Sequence, residues 1–160
     1  MAKVTKIRWV IAHEPLSLFV RAAKDFQDYV NAAQSAEKIE IEIMTLSEYS
    51  ERYNDGILVT KHDLLDHMKQ GKIEMSQLYT TWLAEHFDND MLALDMPFIF
   101  QDHDHATRVL EGEVGEYLLD KITANSNVRG MAFTYSGGFR NLITNKKVDS
   151  LKSLSDEAKS

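Results

Sequence analysis

Ile7-Arg8-Trp9-Val10-Ile11-Ala12 is the stretch that decides the fold. Ile7, Trp9 and Ile11 alternate with Arg8, Val10 and Ala12, so both faces of an extended segment carry apolar groups. That pattern marks an inner strand, covered on two sides. Pro15 breaks the chain behind it. Leu16, Phe19, Val20, Ala23, Phe26 and Val30 then recur at helical spacing, which predicts an amphipathic helix over residues 16–33. Ile39, Ile41 and Ile43 alternate with Glu40 and Glu42 in a second strand.

Working outward, Asn54-Asp55-Gly56 is a turn signal. Leu64, Leu65 and Met68 mark a short helix that stops at Gly71, a favoured residue just past a helix end. Ile73, Met75 and Gln77 read as a third strand, with Trp82, Leu83 and Phe87 in the helical turn after it. An apolar segment of Met91, Leu92, Leu94 and Met96 ends at Pro97. Helical pattern returns at Ala106, Val109 and Leu110, pauses at Gly112 and resumes through Val114, Tyr117, Leu118 and Ile122. Val128, Met131, Phe133 and Tyr135 are expected to form another strand, and residues 139–144 to continue it after Gly137-Gly138. Residues 148–160 are polar and weakly patterned. Strands alternating with helices predict an α/β layer protein with a largely parallel sheet. The one candidate boundary is near Asn125-Ser126-Asn127.

The chain has 160 residues, enough to bury a core, and its 44% apolar and 27% charged content is that of an ordinary globular domain. Eighteen basic residues against 25 acidic give a net charge of −7, which argues against nucleic acid as a partner. It does not forbid an anionic ligand, because one buried arginine acts locally. With no cysteine, disulfides, thiol catalysis and cysteine-held zinc are excluded. No apolar run reaches the ~18 residues of a membrane span. No secretory signal core precedes the first strand.

In open α/β sheets, ligands bind beyond the carboxyl ends of the strands. That rule singles out His13 and Glu14, then residues 49–61 with Lys61, then Tyr79 to Trp82. Tyr and Trp are common in small-molecule pockets, although a solvated helix start explains Tyr79-Thr80-Thr81-Trp82 equally well. Arg140, at the end of Ser136-Gly137-Gly138-Phe139-Arg140, is placed to grip a carboxylate with its planar fork. The plainer alternative is a surface ion pair worth ~0–1 kcal/mol. His103 and His105 are two apart on a forming helix and share no face, so no metal site is read there, and Asp102 or Asp104 is expected as the helix cap. His62 and His67 read as surface residues, and Phe98 and Phe100 as core. No nucleotide fingerprint or nucleophile elbow occurs, and no catalytic residue or cofactor is assigned.

Taken in order, these segments resemble the solute-binding proteins of tripartite ATP-independent periplasmic (TRAP) transporters, of the dicarboxylate-binding type. The resemblance rests on Ile7 to His13, the helix after Pro15, Ile39 to Met44, and Leu64-Leu65 with Gly71-Lys72-Ile73-Glu74-Met75. It continues through Pro97-Phe98-Ile99-Phe100, His105-Ala106 with Gly112 and Gly115, and Gly138-Phe139-Arg140 with Thr144-Asn145-Lys146-Lys147. It implies a periplasmic-binding-protein-like α/β lobe, with residues 1–125 as the first lobe and 126–160 as crossing strands and the start of a second. It implies periplasmic capture of a small organic acid and delivery to membrane permease subunits, without catalysis. Arg140 matches the family's carboxylate-gripping arginine. Tyr79, Lys61, His13 and Glu14 fall at cleft positions, and Lys61 would favour a diacid.

Two departures follow from the same comparison. A second arginine expected about twenty residues after the first is replaced by Ser160, and the chain stops near half the usual length. The expectation is therefore a truncated lobe that binds acids weakly and could self-associate. A sensor module of the same fold, or an α/β enzyme, are the rival readings. The first would need a fused signalling segment and the second a poised base or nucleophile, and neither is visible.

Overall fold

The computed structural model describes residues 4–13, 16–33, 38–135, 137–138, 143–145 and 147–157. Strand β1 (Val4–Ile11) is followed by helix α1 (Leu16–Ala33) and strand β2 (Lys38–Thr45). Helices α2 (Leu46–Tyr53) and α3 (Lys61–Lys69) then lead to β3 (Met75–Gln77). The sheet is parallel, in the order β2-β1-β3. β1 is thus the inner strand that its two-sided apolar pattern predicts. It pairs with β2 from Val4↔Lys38 to Ile11↔Thr45, and with β3 from Trp9↔Met75 to Ile11↔Gln77.

Alternation along β1 sorts the core into two layers. Trp9 and Ile11 face α1, where they meet Phe19, Ala23 and Ile41. Val10 faces the other way and packs with Met44, Tyr49, Val59, Leu64 and Ile73 under α2 and α3. Both layers are dry, with Val10, Ala23 and Leu64 at 0% exposure. Each fully buried Val, Leu or Phe contributes roughly 1.5–3 kcal/mol. Arg8 lies half-buried on the outer part of β1 and donates from its backbone N at 2.9 Å and from Nε at 2.8 Å to Glu74.

Local chemistry sets the element ends. α2 and α3 each open on a capping box: Thr45 with Glu48, and Thr60 with Asp63. The chain turns at Asp55 and Gly56, both at positive φ, and α3 ends ahead of Gly71 at φ 69°. Past β3 come α4 (Thr80–His86), a 3-10 helix (Asn89–Asp95), α5 (His103–Leu110) and α6 (Glu113–Ala124). Ala84, Met91, Leu118 and Ile122 form their own small core there. α5 and α6 cross closely at Gly115, where a Cβ would lie 1.9 Å from the Leu110 carbonyl oxygen. Asp102 caps α5 by accepting from the His105 N–H at 2.7 Å.

Several expectations need correction. The third strand is shorter than predicted, and Ile73 precedes it as a core residue at 1% exposure. Residues 128–135 form no strand. Phe133 packs instead on the small helical core, and Met131, Ala132 and Tyr135 lie against α5 and α6, so no ladder hydrogen bonds form. Phe98 is not core: it is 91% exposed, on a left-handed backbone at φ 63°. Phe100 is half-buried, with its ring 6.0 Å from His105. His67 is half-buried rather than on the surface, because its Nδ1 lies 3.1 Å from the Tyr49 hydroxyl. The weakly patterned terminus forms α7 (Leu151–Glu157), with Ser150 Oγ accepting from the Ser153 N–H at 3.1 Å. No described helix is long and apolar enough to cross a membrane.

Candidate functional site

The carboxyl edge of the sheet gathers three of the five residues that sequence reasoning selects. His13 lies two residues past the end of β1. Tyr79 lies two residues past the end of β3 and starts α4 as its N-cap. Because Ile11 is paired with Gln77, equal extensions of the two strands bring these rings together. Their centroids are 4.5 Å apart at 61°, an edge-to-face contact. Phe19 of α1 completes an aromatic triangle, 5.5 Å from Tyr79 and 6.1 Å from His13. Lys61, exposed at the first position of α3, is close enough for its charge to act on His13. Glu14 and Arg140 lie outside the described residues.

His13 has two notable properties. Its Nε2 is buried and has no hydrogen-bond partner among the described residues. Burial, and then the positive charge of Lys61, push its pKa below the ordinary value, so the ring is neutral at neutral pH.

Sequence reasoning missed Gln77 as a site residue. Its side chain shares the α1-facing side with Met75 and Tyr79, and its Oε1 is also buried without a partner among the described residues. Its Nε2 donates to the Thr134 hydroxyl at a long 3.4 Å. This contact brings the segment before Gly137-Gly138 to the carboxyl edge. A second group lies nearby on α3 and α4. There Trp82 is flanked by His86 at 3.9 Å and His62 at 5.4 Å between ring centroids. His103 and His105 diverge, one ring meeting Tyr135 and the other accepting from the Gln101 N–H.

Two concavities lie elsewhere. One of about 270 Å³ sits between α5, α6 and residues 131–135. The other is an apolar groove of about 640 Å³ lined by the 3-10 helix, Met96, Ile99, Phe100, α5 and α6. Neither includes the paired strand ends that hold His13 and Tyr79.

Comparison with known proteins bears on what this edge does. The model of the bacterial extracellular solute-binding protein family 7 (DctP) matches residues 11–156. The C4-dicarboxylate-binding protein DctB of Bacillus subtilis is 27% identical over 125 residues, which is 78% of this chain and 32% of that protein. Among solved structures, a TRAP periplasmic solute-binding protein from Sulfurospirillum deleyianum with bound succinate matches at 25% identity and a TM-score of 0.59. That match covers 78% of this chain and 36% of the other. The sugar acid binding protein DctPAm from Advenella mimigardefordensis, in complex with galactonate, shares the fold at 24% identity and a TM-score of 0.60, covering 78% and 37%. The chain spans about a third of the length of these relatives. The matched segment carries β2, β3, the aromatic triangle and Gly138-Phe139-Arg140, and with a family model covering nearly all of the chain, the chain belongs to the bacterial extracellular solute-binding proteins of family 7.

Proposed function

We propose that the carboxyl edge of this sheet is one wall of a cleft that captures a small organic acid outside the cytoplasm, as part of a TRAP-type uptake system. The captured acid is handed to membrane permease subunits and no bond is made or broken. The observation that carries this reading is the family match over residues 11–156. The meeting of the His13 and Tyr79 rings past the strand ends, with Lys61 near enough to act on His13, supports it, because α/β sheets bind ligands at that edge. Succinate in the 25%-identical structure and C4-dicarboxylates in the B. subtilis relative support an acid as cargo. In this reading Arg140 grips the carboxylate, Lys61 supplies a second positive charge, and His13 and Tyr79 line the wall. Glu14 borders it and sets what approaches.

Affinity arithmetic bounds the strength of binding. A Kd of 1 μM needs about −8 kcal/mol, and a charge-assisted hydrogen bond gives ~1.5–3 kcal/mol. One arginine with one cleft wall therefore gives a Kd weaker than ~10 μM for this chain. Titration with succinate, D-glucuronate and galactonate, followed by NMR, tests the reading. Arg140→Lys keeps the charge and loses the fork, and should weaken the best acid by about tenfold. Equal binding by both versions would remove Arg140 from its role. Absence of binding by every acid at tens of millimolar, on the order of −2 kcal/mol, would sink the capture reading.

A further inference from the structure

The groove over α5 and α6 and the ring beside it form one apolar face. Leu92, Met96, Phe98, Ile99, Val114 and Tyr117 are all exposed on it, and among the described residues nothing covers them. Their exposed fractions together equal more than three whole residues, which at ~200 Å² for a large side chain is roughly 600 Å². The largest apolar patch of a typical monomer is about 300–600 Å², so this face has the extent of an interaction surface. Phe98 supplies a second, independent observation. It is 91% exposed on a left-handed backbone at φ 63°. That conformation is costly for a bulky residue, and such strain collects where a function needs it. The turn is fixed from before: Pro97 precedes the ring, and Thr80 Oγ1 donates to Asp95 at 2.6 Å. The result is a projecting ring next to a groove of about 640 Å³.

A knob beside a groove is self-complementary. We infer that this face pairs with the same face of a second copy of the chain, each Phe98 seated in the other copy's groove. A twofold contact sets identical patches against each other, so both knobs and both grooves are used at once and the assembly closes at two. The area agrees: two faces of roughly 600 Å² remove about 1,200 Å² from water, the lower end of what a specific interface buries. A small solute would leave most of the face uncovered. Each copy carries a net charge of −7, and their mutual repulsion keeps the pair weak. A dissociation constant on the order of 100 μM is expected of so small an interface between like-charged copies. The chain is then single at the low micromolar concentrations of an unfolding experiment. His13, Lys61 and Tyr79 take no part in the contact, so the inference stands or falls apart from acid capture.

Sedimentation equilibrium of the 160-residue chain, from about 10 μM to about 1 mM, tests the pairing. The mass should rise from 18.3 kDa toward twice that value and go no higher. Raising the salt from about 0.05 M to about 0.5 M should tighten the pair by about threefold or more, because salt screens like charges and leaves apolar contact intact. Phe98→Ser removes the knob. Val114→Glu puts a charge in the groove, at an exposed position in the first turn of α6. Each should weaken the pair about tenfold or more. Mixed together, the two variants should pair more tightly than either alone, since an intact Phe98 then meets an intact groove. Tyr29→Ser removes an exposed ring from α1, outside the groove, and should change nothing. A chain that stays single at about 1 mM overturns the inference. So does growth past two copies, a pair that salt loosens, a mixture no tighter than its components, or groove variants that pair as the parent does. The concentration and salt series on the unaltered chain decide the matter even where a variant misfolds.

Discussion

At the carboxyl edge of the sheet, the polar atoms His13 Nε2 and Gln77 Oε1 are buried without partners among the described residues. Along the groove over α5 and α6, apolar side chains stand in water. Leu92, Met96, Val114 and Tyr117 are each about half exposed there, and Phe98 projects beside them at 91%. Each region is incomplete by a different physical measure. A buried polar atom without a partner costs ~1–3 kcal/mol and asks for one group in one direction. An exposed apolar surface costs ~25 cal/mol per Å² and asks only for coverage. The first kind of deficit can select a solute, and the second cannot select among apolar partners.

The largest predicted effect separates the sheet from the groove by one residue type. Leu64→Ala, at 0% exposure between β1 and α3, should cost ~2–5 kcal/mol in chemical denaturation. Leu92→Ala, at 47% exposure in the groove, should cost less than ~1 kcal/mol. Similar losses at both sites would show that the groove is as much a core as the sheet. Next in size is Thr45→Ala, which removes the capping box of α2 and should cost ~0.5–2 kcal/mol. Because the cap holds the Glu48 carboxyl below its ordinary range, through hydrogen bonds from the Thr45 backbone and then its side chain, its stabilisation is present at neutral pH. It is lost as pH falls through the carboxylate range, so acid should narrow the gap between the two proteins.

His13 gives a smaller and differently placed pH effect. Its folded-state pKa is lowered, so its contribution is complete above the ordinary value of about 6.5 and declines as pH falls below it. Melting temperatures recorded between pH 7 and pH 5 should fall in the parent and flatten in His13→Phe. A parallel decline in both would place the titrating group elsewhere. The smallest effect is expected at Phe98→Ser, with stability changed by no more than ~0.5 kcal/mol. A loss several times larger would show that this ring is covered in solution.

The sheet was legible because its residues obey one rule at a time. Ile7, Trp9 and Ile11 alternate with period two, and Phe19, Ala23 and Val30 recur with the helical period, and nothing at these positions opposes the packing. α1 consequently runs over the residues that periodicity assigns to it. Met131, Phe133 and Tyr135 obey the same period-two rule, and residues 128–135 are not a strand. Alternation reports two faces, but a strand also needs a neighbour to bond with, and the apolar side chains of this segment found helices instead. Phe98 misled for a related reason: hydrophobicity names a preference, while the left-handed backbone after Pro97 turns this ring outward. At the carboxyl edge, the placement of His13, Lys61 and Tyr79 was legible from the rule about strand ends. Gln77 was not, since its importance lies in a hydrogen bond left unmade, and no pattern in a sequence records that.

The order β2-β1-β3 has a consequence for how the chain acquires its shape. β2 and β3 never touch, and each is joined to the sheet through β1 alone. β1 meets β2 across one helix, but from Trp9 to Met75 the chain must close a loop through one strand and three helices. The entropy of that closure is met before the pairing returns anything, which makes β3 the late arrival. His13 and Tyr79 come together only in that last step. The aromatic triangle therefore comes into existence when the sheet is finished, and a chain that has folded β1 onto β2 alone has a core but not this edge.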